Sequence, residues 1–238
     1  MIDINNQLIL NGKMLFMDNT SIINSAFEHV NQLNTQSSQF RFPMSILVSL
    51  TKSSEGTVIS AVNREIERWF VSLQSKPDVI EQLDISFLQS QEYVTVQSSL
   101  KPLKESSVPL FSAIGANRAL AQGLEVVMSM LRTAVADSKA NSVTCRRPWC
   151  VVVTDGQATD VWTDSAAKLK HWSCEKSIVP IIINLGEYDE SLEEYSVVPV
   201  LNASFNQLPV VFDWLKESIE CIASSQPGTT VRLPELPL

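Results

Sequence analysis

Histidine is almost missing from this chain. Two occur in 238 residues, His29 and His171, which gives a histidine-based metal cluster or catalytic dyad little to draw on. Cysteine is nearly as sparse. Cys145, Cys150, Cys174 and Cys221 show no paired Cys-x-x-Cys spacing, so the usual zinc frameworks are not expected, and reduced thiols in a cytoplasmic protein are. Nucleotide loops of the GxG type and the P-loop are missing, as is the GxSxG nucleophile turn. Basic residues are in deficit: 18 Lys and Arg stand against 26 Asp and Glu, a formal net charge of -8 with a pI near 4.8. That balance argues against nucleic acid or an anionic membrane as a partner. No apolar run approaches the roughly 20 residues that span a bilayer. The opening stretch "MIDINNQLILNGKMLF" has no basic segment followed by an uninterrupted apolar one, and it is not expected to act as a signal peptide.

What is present is a large core. Hydrophobic residues make up 45% and charged residues 18%, enough for one large domain with little disorder. Residues 7 to 16 are two short apolar runs around Asn11-Gly12, a pair that favours a tight hairpin because both positions tolerate positive φ. Residues 21 to 33 read as a modest helix and 34 to 39 as a polar linker. The sequence therefore divides into an N-terminal hairpin and helix, residues 1–40, and a main domain, residues 41–238. In the main domain, the near-continuous apolar runs "PMSILVSL" (43–50), "WCVVVTDG" (149–156) and "SIVPIIINLG" (177–186) read as strands covered on both faces. "EQLDISFLQ" and "EYVTVQSSL" alternate as a strand pair. Amphipathic helices are expected over 58–74, 116–138, 164–173 and 207–225. This alternation predicts an α/β domain with a doubly wound, mostly parallel sheet, and ligands in such sheets sit at the carboxyl ends of the strands.

Three strand-end turns carry the candidate chemistry: "SLTKSSEG", "PLFSAIGANRAL" and "TDGQATD". Together they resemble the three metal-site loops of the von Willebrand factor A domain. That family's first loop reads Asp-x-Ser-x-Ser, its second offers a Thr, and its third an Asp after a buried strand. Thr51 and Ser53 match the first loop, Ser112 the Thr, and Asp155 the last Asp. The resemblance covers roughly residues 41 to 233. It is closest to the small bacterial proteins associated with tellurite resistance, through "RFP", "RRPWCVVVTDGQATDVW" and "SSQPGTTVRL". It implies a metal-ion-dependent adhesion site: hydroxyls bind a divalent cation such as Mg²⁺, carboxylates hold its waters, and a carboxylate from a partner protein completes the sphere.

The sequence departs from the family at one decisive position, where Ser49 replaces the leading Asp. A divalent ion ~5 Å from a carboxylate gains roughly 3–6 kcal/mol at intermediate dielectric before hydration and screening. A third of that already weakens binding about tenfold. A weak or lost Mg²⁺ site at Thr51, Ser53, Ser112 and Asp155 is expected, with Ser49 and Lys52 as partner-docking residues and Lys52 able to meet a partner carboxylate. A plainer alternative is helix capping: Thr51 or Ser53 for the helix that follows, and Thr159 for the next, with Asp160 at its positive end.

Other polar residues read as structural. Glu65, Glu67 and Arg68 are expected on a solvated helix face, Asp84 toward water or a sheet edge, and "EYDESLEEYS" (187–196) as a solvated loop and helix. Three functions stay open. The first, which the resemblance favours, is a non-enzymatic adaptor that docks other proteins, such as a protein kinase or phosphatase, in bacterial stress or phage-defence signalling. The second is a structural subunit whose N-terminal hairpin extends a sheet. The third, with fewer residues behind it, is a hydrolase using Asp155 and a metal.

Overall fold

The computed structural model describes residues 7–10, 13–16, 40–226 and 229–235. At its centre lies β3 (Phe40–Ser49), buried from Arg41 onward. It is parallel to β4 (Leu83–Ser90) on one side and to β7 (Trp149–Thr154) on the other. β8 (Val179–Asn184) continues the parallel sheet beyond β7, and the two-residue β9 (Leu201–Asn202) ends it. β5 (Val94–Pro102) returns antiparallel to β4. β1 (Gln7–Leu10) and β2 (Lys13–Phe16) form an antiparallel hairpin, and β1 runs parallel to β5 at the outer edge. A short β6 (Thr144–Cys145) pairs with the start of β3. The strand order is β2-β1-β5-β4-β3-β7-β8-β9. Mostly parallel strands with helices between them make this a doubly wound α/β sheet, as the apolar runs predict. The turn at 11–12 and the helix expected over 21–33 lie outside the described residues.

Period-2 geometry divides the core between two faces. Met44, Ile46 and Val48 of β3 point with Val151 and Val153 of β7 toward α1 (Thr57–Gln74) and α5 (Leu208–Ser224). Leu47, Cys150 and Val152 point the other way, toward α3 (Leu120–Ala140) and α4 (Thr163–Cys174). Helix α1 buries Ile59, Val62, Ile66, Trp69, Phe70 and Leu73, the stripe its spacing predicts. Trp69 meets Phe212 of α5 edge to face at 5.8 Å. On the opposite face α3 comes so close that a Cβ at Gly123 would lie 3.0 Å from the Leu47 methyls. A six-residue helix, α2 (Pro77–Gln82), precedes β4.

Three expectations need correction. Helix α3 begins at Leu120 rather than 116. Ala119 donates its N–H to the Gln91 carbonyl, at 2.7 Å, which holds the preceding residues in a loop. Glu65 is buried, not solvated. It accepts hydrogen bonds from Arg64 and Arg68 at 3.0 and 2.7 Å. Asp84 is 1% exposed and pairs with the equally buried Arg41 at 2.9 Å. Strand β4 is buried along its whole length, with Ile85 and Phe87 in one core cluster, Leu88 in the other and a strand on either side, so alternation does not bring its charged residue to water.

Burial pushes the Asp84 carboxyl up to about 7, against the lowering pull of Arg41. The folded chain therefore holds this proton more tightly than the unfolded chain, whose carboxyl titrates near ~3.9. Between about pH 4 and pH 7, unfolding releases a proton, and this group makes stability fall as pH rises. Chemical denaturation across that window should show a flatter pH profile in Asp84→Asn than in the native chain. Asp84→Ala, which removes the carboxylate facing buried Arg41, should cost roughly 3 kcal/mol.

Candidate functional site

The parallel strands β3, β4, β7 and β8 all end at one rim, and two of the three candidate turns meet there directly. Asp155 follows the last residue of β7. Its Oδ2 accepts from the Thr51 backbone N–H at 2.9 Å, the Thr51 hydroxyl at 2.7 Å, the Ser54 hydroxyl at 2.8 Å and the Ser53 hydroxyl at 3.0 Å. Thr51 and Ser53 also lie 2.7 Å apart, oxygen to oxygen, so the single Ser53 proton is shared between them and the carboxylate. The apolar run of β3 stops at this row of hydroxyls because the row wraps a carboxylate delivered by β7. Neither hydroxyl caps a helix: the short helical turn Lys52–Ser54 and α1 both begin without a side-chain cap.

The remaining oxygen, Oδ1, accepts from Arg118 Nη1 at 2.9 Å. Arg118 is held from several sides. Its Nε donates to the Gln157 carbonyl at 2.6 Å, its backbone N–H donates to Thr159 Oγ1 at 2.7 Å, and its carbonyl accepts the Thr159 N–H at 3.0 Å. Gly156 makes the room. Its φ of 148° suits glycine, and a Cβ there would lie 3.3 Å from Arg118 Nη2. The second turn thus reaches Asp155 through Arg118, not through Ser112. Ser112 is exposed, and its carbonyl and hydroxyl accept from Gln89 at 2.6 and 3.0 Å, with Gln91 also donating to the carbonyl at 2.9 Å. The same loop is tied to the first by Lys52 N–H donating to the Gly115 carbonyl at 2.8 Å.

Ser49, expected to touch a partner, is fully buried opposite Thr154 of β7, and its hydroxyl finds no hydrogen-bond partner among the described residues. A side chain with no exposed surface offers nothing to a docking protein. Lys52 is exposed. Thr159 and Asp160 do not cap the helix that follows them. Thr159 braces Arg118, and Asp160 accepts the Ala121 and Gln122 N–H groups at 3.2 and 2.9 Å. Asp160 therefore satisfies two open donors at the start of α3, from across the rim. Sequence reasoning missed Arg118 and Ser54. Ser54 carried a faint signal as one more hydroxyl in an already hydroxyl-rich turn.

Burial works to raise the Asp155 pKa. Hydrogen bonds from Thr51 and Ser54 and the charge of Arg118 outweigh it, so the carboxyl is held below its usual value. Asp155 is ionised at neutral pH with both oxygens engaged. A divalent cation wants about six hard oxygens, and here it would meet a single carboxylate already neutralised by a guanidinium. Two unit positive charges 4 Å apart repel by about 4 kcal/mol at a surface-like dielectric, and a divalent ion doubles that. With Arg118 in place, these residues do not fit a divalent ion. Two of the thiols are held in the protonated form: burial pushes Cys145 up to about 11 and Cys150 up to about 12. Among the described residues, no three His, Cys, Asp or Glu gather as a metal cluster.

A doubly wound sheet with hydroxyl-rich and acidic turns converging at one end is the arrangement that the resemblance to a von Willebrand A-type fold implies. No family model matches the chain, and no curated protein matches its sequence. Solved structures do match. Proximal thread matrix protein 1 from the mussel byssus superposes with a TM-score of 0.55 at 16% identity, over 76% of this chain and 48% of that one. The same byssus protein with a zinc-occupied MIDAS motif gives 0.52 at 14% identity, over 76% and 48%. The ArnB paralog VWA2 from Sulfolobus acidocaldarius gives 0.50 at 16%, over 76% and 46%. The chain spans about half the length of these structures. Identities this low show the shared fold and nothing finer.

Removing the Asp155 carboxylate leaves the Thr51, Ser53 and Ser54 donors and the Arg118 charge without their acceptor. Asp155→Ala should therefore cost roughly 3 kcal/mol, or about 6–12 °C in thermal midpoint for a chain of this size. Because the folded pKa is depressed, this contribution is complete at neutral pH and fades as pH falls below about 4. The variant's deficit, followed by circular dichroism melts, should shrink in acid.

Proposed function

We propose that this chain is a non-enzymatic protein-binding module that docks its partner at the carboxyl-end rim of the sheet. The observation that carries the reading is where large apolar side chains are left in water. Ile114 is 62% exposed, Val161 87% and Tyr188 68%, and each sits on a rim loop. Ile114 precedes Gly115, which is bonded to the first turn. Val161 follows Asp160, which is bonded to α3. Tyr188 follows Glu187, whose carbonyl accepts Asn184 Nδ2 at 2.8 Å at the end of β8. Exposed apolar side chains around a fixed polar centre are the makings of an interface. At that centre the Asp155 carboxylate has both oxygens occupied by protein donors, which suits a scaffold better than a general base.

The cellular setting rests on the sequence resemblance: a cytoplasmic role in bacterial stress or phage-defence signalling, beside a protein kinase or phosphatase. No helix among the described residues is long and apolar enough to cross a membrane. A structural-subunit reading draws on the N-terminal hairpin, which pairs with β5 and leaves β2 as the outer strand of the sheet.

Cross-linking in a native extract, with quantitative mass spectrometry of captured proteins, tests the rim. Ile114→Asp/Val161→Asp should lose at least one protein that the native chain captures, at unchanged thermal midpoint. Val71→Asp, at an exposed apolar position on α1 away from the rim, should keep it. Equal capture by all three would rule the rim out as the docking surface.

A further inference from the structure

We propose that Arg118 is a built-in cation that stands in for the divalent ion of an adhesion-type site, so that the rim assembles and works without metal. The inference rests on the docking reading for the use of the rim, but not for how the rim is put together.

Arg118 is not a surface arginine that happens to lie near an acid. The two side chains are 20% and 5% exposed and 2.9 Å apart. The guanidinium is also tied to the Gln157 carbonyl, and its backbone is bracketed by Thr159. The space beside it exists because residue 156 lacks a side chain. On the far side of the carboxylate, Thr51, Ser53 and Ser54 turn their hydroxyls onto Oδ2. These hydroxyls donate to the carboxylate, whereas around an ion they would present lone pairs to it.

Charge balance ties Arg118 to Ser49. An adhesion-type site sets two carboxylates against a divalent ion. A guanidinium carries one charge and balances one carboxylate. Ser49 occupies the position of the second, and it is fully buried. An aspartate there would place a negative charge in the interior with no cation to meet it, a costly arrangement. The neutral residue at 49 and the cation at 118 are therefore two halves of one exchange: two acids and a divalent ion for one acid and an arginine. Each makes physical sense only with the other. Nη2 of Arg118 makes no hydrogen bond among the described residues, so the cation keeps donors for an acceptor that a partner would bring.

The test uses the purified full chain alone, with Mn²⁺ and Mg²⁺ as probes, so its outcome is separate from any docking result. Free Mn²⁺ is followed by electron paramagnetic resonance and stability by thermal melts. The native chain should leave millimolar Mn²⁺ free, and its midpoint should be the same in EDTA, Mg²⁺ or Mn²⁺. Ser49→Asp/Arg118→Ser should take up Mn²⁺ about tenfold or more tighter than the native chain, and the ion should raise its midpoint. Arg118→Lys, which keeps the charge, should stay indifferent to metal. Uptake of Mn²⁺ by the native chain with a raised midpoint would overturn the proposal without any variant having to fold. So would a folded double variant that ignores the ion. Either result would leave the docking reading to be judged by the rim variants.

Discussion

The Asp155 carboxylate has five protein donors within hydrogen-bonding distance, drawn from two loops that lie far from it in sequence. A carboxylate this well satisfied fixes the loops around it. Its Oδ2 gathers the turn that leaves β3, and its Oδ1 holds Arg118, which anchors the loop leading into α3. Asp160, on the same loop as Asp155, then closes the start of α3. The rim can carry exposed apolar residues on ordered loops because this ionic centre holds those loops in register. The same occupancy leaves neither oxygen of the Asp155 carboxylate without a protein donor.

The fold was legible where burial writes directly into residue type. β3, β7 and β8 are covered on both faces, so their sequences are unbroken apolar runs. α1 and α5 are covered on one face, so Ile59, Val62, Ile66 and Trp69, or Val211, Phe212, Leu215 and Ile219, recur at helical spacing. Charged residues inside this pattern misled. Asp84 sits in an alternating strand and reads as solvent-facing, yet its partner Arg41 lies 43 positions away on the neighbouring strand. Glu65 is buried between two arginines of its own helix. In both cases an ion pair makes burial tolerable, and a pair across strands leaves no local trace.

The candidate site was legible by half. The meeting of the first and last turns follows from parallel strands ending together, and Thr51, Ser53 and Asp155 do meet. The rest needed three dimensions. Arg118 looks like any polar residue in the first turn of the helix expected over 116–138, and only the backbone of Gly156 and Gln157 shows that a place is kept for it. Ser49 looked like a contact residue because it opens the hydroxyl row. It is still part of the strand, however, and the row turns outward only after it. The start of α3 was misplaced for a similar reason, since Gln91 and Asp160, which set it, come from other loops. The outcome is a von Willebrand A-type fold whose rim gathers Thr51, Ser53, Ser54 and Arg118 around the Asp155 carboxylate.

The most direct measurement is a crystal structure of the native chain grown in manganese, with data collected for anomalous scattering. The account predicts guanidinium density against Asp155 Oδ1 and no anomalous peak at the rim. A manganese peak among Thr51, Ser53 and Asp155, with Arg118 swung away, would contradict it.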